Sequence, residues 1–350
     1  MLKLGESRVH KDEGDQAEAQ RGRNAMKRRH FLTSTTALAM AATFGLFALP
    51  AHAESKEIIY ITPSMSVSFW RYMATGAEAA AKEAGYTLQV LDSNNDAQVQ
   101  LKNVQDAIAR GVAGIILSPT DSSTAPSVLA LAQEAGIPVT ISDIGTTEGE
   151  YVSFISSDNA GGARGIGDAL AAKLTEMGFT DGSYGIIGIP QARINGQLRT
   201  QGFRDAMAAT GMTKEAPMQE MKTFTADESF KFAQDMMTAT PDLRAIFVQS
   251  DQQTVGAFRA VEAARKTADI LVVGFDGTPE LFQLIADGKI VGSGMQQPYL
   301  MGNTAAAALL AHIAGTQPEK SIVVPILIGT TDNAAELLDE IKLNVFANDF

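Results

Sequence analysis

The sequence predicts an α/β protein made of two doubly wound parallel sheets with a ligand cleft between them. Three observations carry this expectation. Short apolar runs rich in β-branched residues recur at Ile58 to Ile61, Thr87 to Leu91, Gly114 to Leu117, Pro138 to Ile141, Val152 to Ile155, Gly185 to Ile189, Ala245 to Val248, Ile270 to Val273 and Ile290 to Val291. Between most of them lie helix-length segments with apolar residues three and four apart, such as Phe69 to Ala84, Val99 to Arg110, Ala125 to Ala135 and Phe230 to Met237. Gly85, Gly111, Gly136 and Gly178 each follow a helical stretch, where a left-handed residue commonly ends the helix. Strand and helix in alternation imply parallel strands with helices on both faces of each sheet. About five such units fall in each half of the chain, and no low-complexity linker separates them.

The first 53 residues read differently. Lys27-Arg28-Arg29-His30-Phe31-Leu32 is followed by a modest apolar run, Ala37 to Leu49, then Pro50 and the small-x-small sequence Ala51-His52-Ala53. That layout predicts an export signal over residues 26–53, cleaved after Ala53, with the paired arginines pointing to the twin-arginine route. The run is shorter than the roughly 20 apolar residues that span a bilayer. Residues 1–25 are polar and without apolar periodicity, so Met26 is the expected initiator. An exported α/β protein has no ready supply of ATP or NAD, and its cleft is expected to hold a nutrient rather than a nucleotide.

Removing residues 1–53 leaves 297 residues with 20 basic and 35 acidic side chains, a formal charge of −15. Nucleic acid and anionic membrane surfaces are disfavoured partners for such a chain. There is no cysteine, so stability comes from packing rather than disulfides. Of the four histidines, only His312 lies beyond the leader, in the Ala- and Leu-rich helical stretch Asn303 to Ala314. Ser-His-Asp and Cys-His catalysis, HExxH metal sites and thiolate zinc sites therefore lack their residues. No metal and no cofactor is expected. Gly161-Gly162-Ala163-Arg164-Gly165-Ile166-Gly167 has the wrong spacing for a dinucleotide loop and reads as a tightly packed helix start. The Met236-Met237 pair reads as helix packing.

In doubly wound sheets the ligand sits beyond the carboxyl ends of the strands. Those ends are the segments from Thr62 to Trp70, Asp92 to Asn95, Ser118 to Ser122, Ser142 to Ile144, Pro190 to Gln197, Phe224 to Asp227, Gln249 to Gln253, Phe275 to Pro279 and Met295 to Pro298. They carry carboxylates and amides that can pair with adjacent hydroxyls, and aromatic faces that can cover C–H surface. A polyhydroxylated solute fits that mixture.

Several stretches, among them Leu91-Asp92-Ser93-Asn94-Asn95, Ser118-Pro119-Thr120-Asp121-Ser122, Ser157-Asp158-Asn159 and Val272-Val273-Gly274-Phe275-Asp276-Gly277-Thr278-Pro279, resemble the ribose-type periplasmic sugar-binding proteins. These are the type I solute-binding components of ABC importers. The resemblance runs over nearly all of Ile58 to Thr330 and implies two lobes joined by three crossovers that close on one solute. It implies an N-terminal lobe of residues 54–157 plus 297–326 and a C-terminal lobe of residues 158–296 plus 327–350. It further implies that Phe69 and Trp70 sandwich the sugar opposite Phe224, that Asp143 and Asp276 accept from its hydroxyls, and that Gln296 donates to it near a crossover. Asp251, at the start of a helix, reads equally as an N-cap.

The chain departs from the ribose pattern at Val67, Ile144, Gln197 and Ser250, where an asparagine, two arginines and an asparagine are usual. On this reading two fork-shaped cations are lost, and ribose gives way to another sugar or polyol held partly by Asn195, Gln252 and Gln253, with Gln197 and Ser250 still expected on the ligand-binding wall. The expected protein is a monomer that captures a sugar or sugar alcohol in the periplasm and passes it to an inner-membrane ABC permease. The alternatives are a ligand sensor read by a chemoreceptor or sensor kinase, and an exported enzyme using carboxylates alone.

Overall fold

A computed structural model describes residues 55–179 and 181–349. The leader readings, including the arginine pair and the cleavage after Ala53, lie outside the described residues. Among the described residues no helix is long and apolar enough to cross a membrane.

The first half runs β1 (Glu57–Thr62), α1 (Ser68–Glu83), β2 (Thr87–Asp92), α2 (Ala97–Arg110), β3 (Gly114–Leu117), α3 (Ala125–Glu134), β4 (Val139–Ser142) and β5 (Phe154–Ser157). It continues through α4 (Asn159–Glu176), β6 (Ser183–Gly188), α5 (Ile194–Thr210), the two-residue strands β7 (Lys214–Glu215) and β8 (Gln219–Glu220), α6 (Ala226–Ala239) and β9 (Leu243–Val248). The remainder is α7 (Asp251–Ala263), β10 (Leu271–Phe275), α8 (Pro279–Ala286), β11 (Gly292–Met295), α9 (Pro298–Ile313), β12 (Ser321–Val324), β13 (Leu327–Thr330) and α10 (Ala334–Asn344).

One sheet has the order β12-β5-β4-β3-β1-β2 and the other β13-β11-β10-β9-β6-β7, with β8 also paired to β6. The chain passes between sheets three times, after β5, after β11 and between β12 and β13. Among the described residues all pairings are parallel except β11 with β13, where Gly292 faces Thr330 and Met295 faces Leu327. That antiparallel edge, like β12 beside β5, was not expected from the sequence. Both strands are short and half exposed, so they lack the continuous apolar run that marks a central parallel strand. The expected strand at Ile290 to Val291 lies instead at Gly292–Met295, and the one at Val152 to Ile155 at Phe154–Ser157.

Alternation along each central strand divides the core. Ile58 and Tyr60 face α1 and α9, whereas Ile59 and Ile61 join the cluster under α2 and α3. In the second sheet Ile246 and Val248 point toward α6 and α7, and Ala245 and Phe247 toward α4 and α5. Phe203, Phe247 and Phe275 form a fully buried row there, with Phe203 stacked on Phe247 at 4.4 Å.

Glycine sets how closely the covering helices pair. A Cβ on Gly76 of α1 would stand 1.9 Å from the carbonyl oxygen of Tyr299 in α9, and one on Gly302 of α9 would stand 1.9 Å from that of Met73. Gly202 in α5 and Gly256 in α7 meet the carbonyls of Ala160 and Ala226 at 2.1 Å in the same sense. Backbone cannot yield as a side chain can, so any larger residue must push the helices apart. Gly76→Ala is expected to cost about 1–3 kcal/mol, measured as a lowered urea midpoint; an unchanged midpoint would mean that α1 and α9 shift freely.

Candidate functional site

The carboxyl ends of the parallel strands of the two sheets face each other across a cavity of about 420 Å³ when the open solvent at its mouth is counted. Each wall is built by the segment that follows a strand. From the first sheet, Phe69 and Trp70 lie in the opening turn of α1, packed edge to face at 4.8 Å and only 6% and 5% exposed. Val67 precedes them at the helix entry, Asn95 follows β2, and Asp143 follows β4. Asn195 and Arg199 of α5, Arg193 just ahead of it, Phe224 before α6, Ser250 before α7, Asp276 after β10 and Gln296 after β11 complete the opposite wall.

Several of these side chains are aimed by unusual backbone. Asn95, Asp143, Phe224 and Asp276 all have positive φ, at 55°, 62°, 54° and 65°. Such conformations cost on the order of 1–3 kcal/mol for a non-glycine residue and persist where the surroundings over-determine them. At Phe224 the surroundings are visible. The Glu228 carboxylate in the first turn of α6 accepts from the backbone N–H groups of Lys222, Thr223 and Phe224 at 2.9–3.0 Å, which folds the loop around it. Gln253 Nε2 donates to the Phe224 carbonyl from below, at 2.5 Å. Asp92 has a similar role, accepting from Met65 N at 3.1 Å and Asn94 N at 2.8 Å, so that the loops carrying Trp70 and Asn95 share one anchor.

The polar groups form two linked sets. Arg199 Nη1 donates to Asp276 Oδ2 at 3.4 Å and to the Gln249 carbonyl at 2.8 Å, while its Nε donates to Asn159 Oδ1 at 2.8 Å. Its guanidinium also sits 4.0 Å from the Phe275 ring centre. Gln296 Nε2 donates to Asp276 Oδ1 at 2.6 Å. Across the cleft, Asn195 Nδ2 donates to Asp143 Oδ2 of the first wall at 3.0 Å. Asp143 Oδ1 and Gln296 Oε1 are buried without a protein hydrogen-bond partner. Burial pushes the Asp143 carboxyl up to about 6, opposed by Arg199 and assisted by the charge of Asp276. Burial also raises Asp276, opposed chiefly by Arg199.

The structure corrects the sequence reading at four points. Gln197 is exposed and donates to the Gln191 carbonyl at 2.8 Å, away from the cavity. Neighbours two apart on a helix point in nearly opposite directions, so Asn195 and Gln197 could not both face inward. The absence of arginine at positions 144 and 197 does not leave the cavity without cations: Arg193 and Arg199, 6% and 2% exposed, line it. Arg199 stands four residues after Asn195 on the same helix face, the signal by which it could have been found. Ile144 is fully buried in the core beside α1 and does not line the cavity. Gln252 is exposed and Gln253 supports Phe224, so neither belongs to the wall. The remaining expected residues, Phe69, Trp70, Asp143, Asn195, Phe224, Ser250, Asp276 and Gln296, all line this one cavity.

Asp251 is the first residue of α7, with Ser250 at the N-cap position. It lies behind the wall, 1% exposed, its Oδ1 accepting from Gln252 N and its Oδ2 without a protein partner. Among the described residues no cluster of three or more His, Cys, Asp or Glu side chains is arranged to hold a metal ion.

Two lobes with a polar cavity of this kind define a solute-binding protein of the periplasmic type, and comparison with known proteins agrees. The family described as "Periplasmic binding protein domain" matches residues 58–317, and the chain belongs to it. The ribose import binding protein of Escherichia coli (strain K12) is 35% identical over 278 residues, 79% of this chain and 90% of that protein. The D-apiose import binding protein of Paraburkholderia graminis is 31% identical over 303 residues, 85% of this chain and 95% of that one. In three dimensions the chain resembles a carbohydrate transporter solute binding protein from Agrobacterium radiobacter, solved in complex with D-arabinose, with a TM-score of 0.77 at 24% identity, covering 84% of this chain and all of that one.

Burial pushes Asp251 up to about 7, with the like charge of Asp276 adding to the rise. An acid whose native pKa stands above its unfolded value binds protons preferentially when folded. The stability it contributes is full below about pH 4 and is lost as the pH rises through 7. The stability difference between the protein and its Asp251→Asn variant is therefore expected to move against the parent between pH 4.5 and 7.5. Urea midpoints at both ends measure it; a difference independent of pH would show that Asp251 titrates as an ordinary carboxylate.

Proposed function

We propose that the chain captures a neutral sugar or sugar alcohol in the periplasm and delivers it to an ABC permease in the inner membrane. The observation that carries this reading is one cavity in which Asp143 and Asp276 stand among amides and arginines, with the rings of Phe69, Trp70 and Phe224 in the same lining. Carboxylates accept from adjacent hydroxyls, amides and guanidinium groups donate to ring and hydroxyl oxygens, and aromatic faces cover C–H surface. Val67 and Ile189 add apolar wall. The import roles borne in the names of the relatives support the same assignment.

Closure follows from the same geometry. The solute touches groups carried by both sheets only when the lobes, residues 54–157 plus 297–326 and 158–296 plus 327–350, are together, so its differential affinity drives the population shift. Gln296 sits at the second passage of the chain between sheets, where its amide links the solute to a crossover. The solute leaves unchanged: the reading is one of binding, with acidic lobe surfaces meeting the permease and the protein acting as a monomer.

Calorimetry with pentoses, hexoses and alditols, on protein stripped of solute by unfolding and refolding, tests the proposal. Tight binding of at least one, recovered unaltered, is expected; no heat with any of them alongside tight binding of a charged or wholly apolar compound would overturn it. Asp276→Asn keeps the side chain's size but removes its charge, and should weaken the carbohydrate that binds by more than about tenfold. Because the carboxylates accept hydroxyl hydrogens best when ionised, affinity should fall below about pH 6, where Asp143 takes up its proton. An affinity constant from pH 5 to 8 would remove Asp143 from the site.

A further inference from the structure

The two walls of the cavity also hold each other directly. Arg193 belongs to the second wall, yet its Nε donates to the Thr120 carbonyl at 2.9 Å and its Nη2 to Asn95 Oδ1 at 3.3 Å, both on loops of the first sheet. The side chain spans the cleft at 6% exposure, with its guanidinium 5.2 Å from the Phe224 ring centre. Beside it Ile194 N donates to Ser122 Oγ at 3.2 Å, and Ser122 N donates to the Ala192 carbonyl at 3.4 Å. The receiving loop is itself braced, since Thr120 N donates to Gln100 Oε1 and Gln100 Nε2 to the Ser118 carbonyl, each at 3.0 Å.

We propose that Arg193 and the Ser118 to Ser122 loop form a cross-cleft clasp, which stabilises the closed arrangement through protein contacts alone, and that Arg193 is the positioning residue setting how readily the lobes part. An arginine suits this position because its planar fork sends two donors to different acceptors while its face lies on an aromatic ring. A lysine's single ammonium could not reproduce both directions. Opening the cleft returns the guanidinium and the Ser122 hydroxyl to water, so the clasp supplies only the net worth of a few hydrogen bonds. That is enough to adjust an equilibrium without locking it. A larger closed fraction removes part of the cost that a solute must otherwise meet to bring the lobes together. The clasp rests on the lobe closure proposed above but not on the identity of the solute.

The chain has no cysteine, so two introduced ones can be labelled alone. Spin labels at Lys102→Cys on α2 and Gln234→Cys on α6, both exposed positions, report the separation of the lobes by pulsed electron resonance. The protein is first unfolded and refolded to strip any solute, and none is added. The parent is expected to show a closed-distance population. Ser122→Ala, which removes an acceptor outside the cavity wall, and Arg193→Met, which keeps length but loses the donors, should each lower the closed-to-open ratio by about three- to tenfold. Identical distance distributions in all three proteins, or a parent with no closed population, would overturn the clasp. Neither result bears on whether carbohydrates bind, which the calorimetry decides separately.

Discussion

The arrangement of the cleft depends on keeping buried carboxylates in balance with buried cations where two sheets face each other. Asp143, Asp251 and Asp276 are all at least nine-tenths buried, and so are Arg193 and Arg199. An isolated charge in such surroundings would cost far more than a hydrogen bond returns. Arg199 answers it on one side by reaching Asp276, the Gln249 carbonyl and Asn159 at once, and Asn195 answers it on the other by donating to Asp143. Helix α5 carries both, four residues apart, so a single helix face holds one carboxylate from each wall. The orientation of that helix consequently decides both the charge balance and the shape of the cavity.

Rigidity beneath the cleft comes from close backbone approach. Glycines at 76, 202, 256 and 302 let the covering helices pair at carbonyl contact. Stiff helices allow the loops to carry strain. The left-handed backbone at Asn95, Asp143, Phe224 and Asp276 persists because each N–H is taken up: by the Glu228 carboxylate at Phe224, and by the backbone carbonyls of Pro63, Ile155 and Gly294 at Asn95, Asp143 and Asp276. Cavity residues are thus aimed by packing and capping at a distance. A substitution well outside the wall, at Glu228 or Asp92, reaches the cavity through the loop it anchors.

Much of this was legible in the residues. Alternating apolar strands and periodic helices identify a doubly wound α/β chain, because each pattern reflects burial on sheet faces that no other arrangement covers. Aromatic and acidic residues placed just after strands, as at Phe69, Trp70, Asp143 and Asp276, could be listed in advance, because parallel topology sends every strand end to the same side. The edge strands β12 and β13 were not legible, since half-exposed edges lack a continuous apolar run. Gln197 was assigned to the wall and Arg199 was not, although a helix cannot turn both Asn195 and Gln197 inward.

By itself the sequence determined the layered architecture, the side on which a cleft must lie and the chemical mixture available there, because these follow from local periodicity and from the direction of parallel strands. Only the tertiary structure decided which cations enter the cleft and which carboxylate each one meets. Arg193 and Asn95, or Arg199 and Asp276, are separated by 98 and 77 residues, and their pairing depends on helix phase and on the angle between sheets. Neither quantity is written in any local stretch of chain.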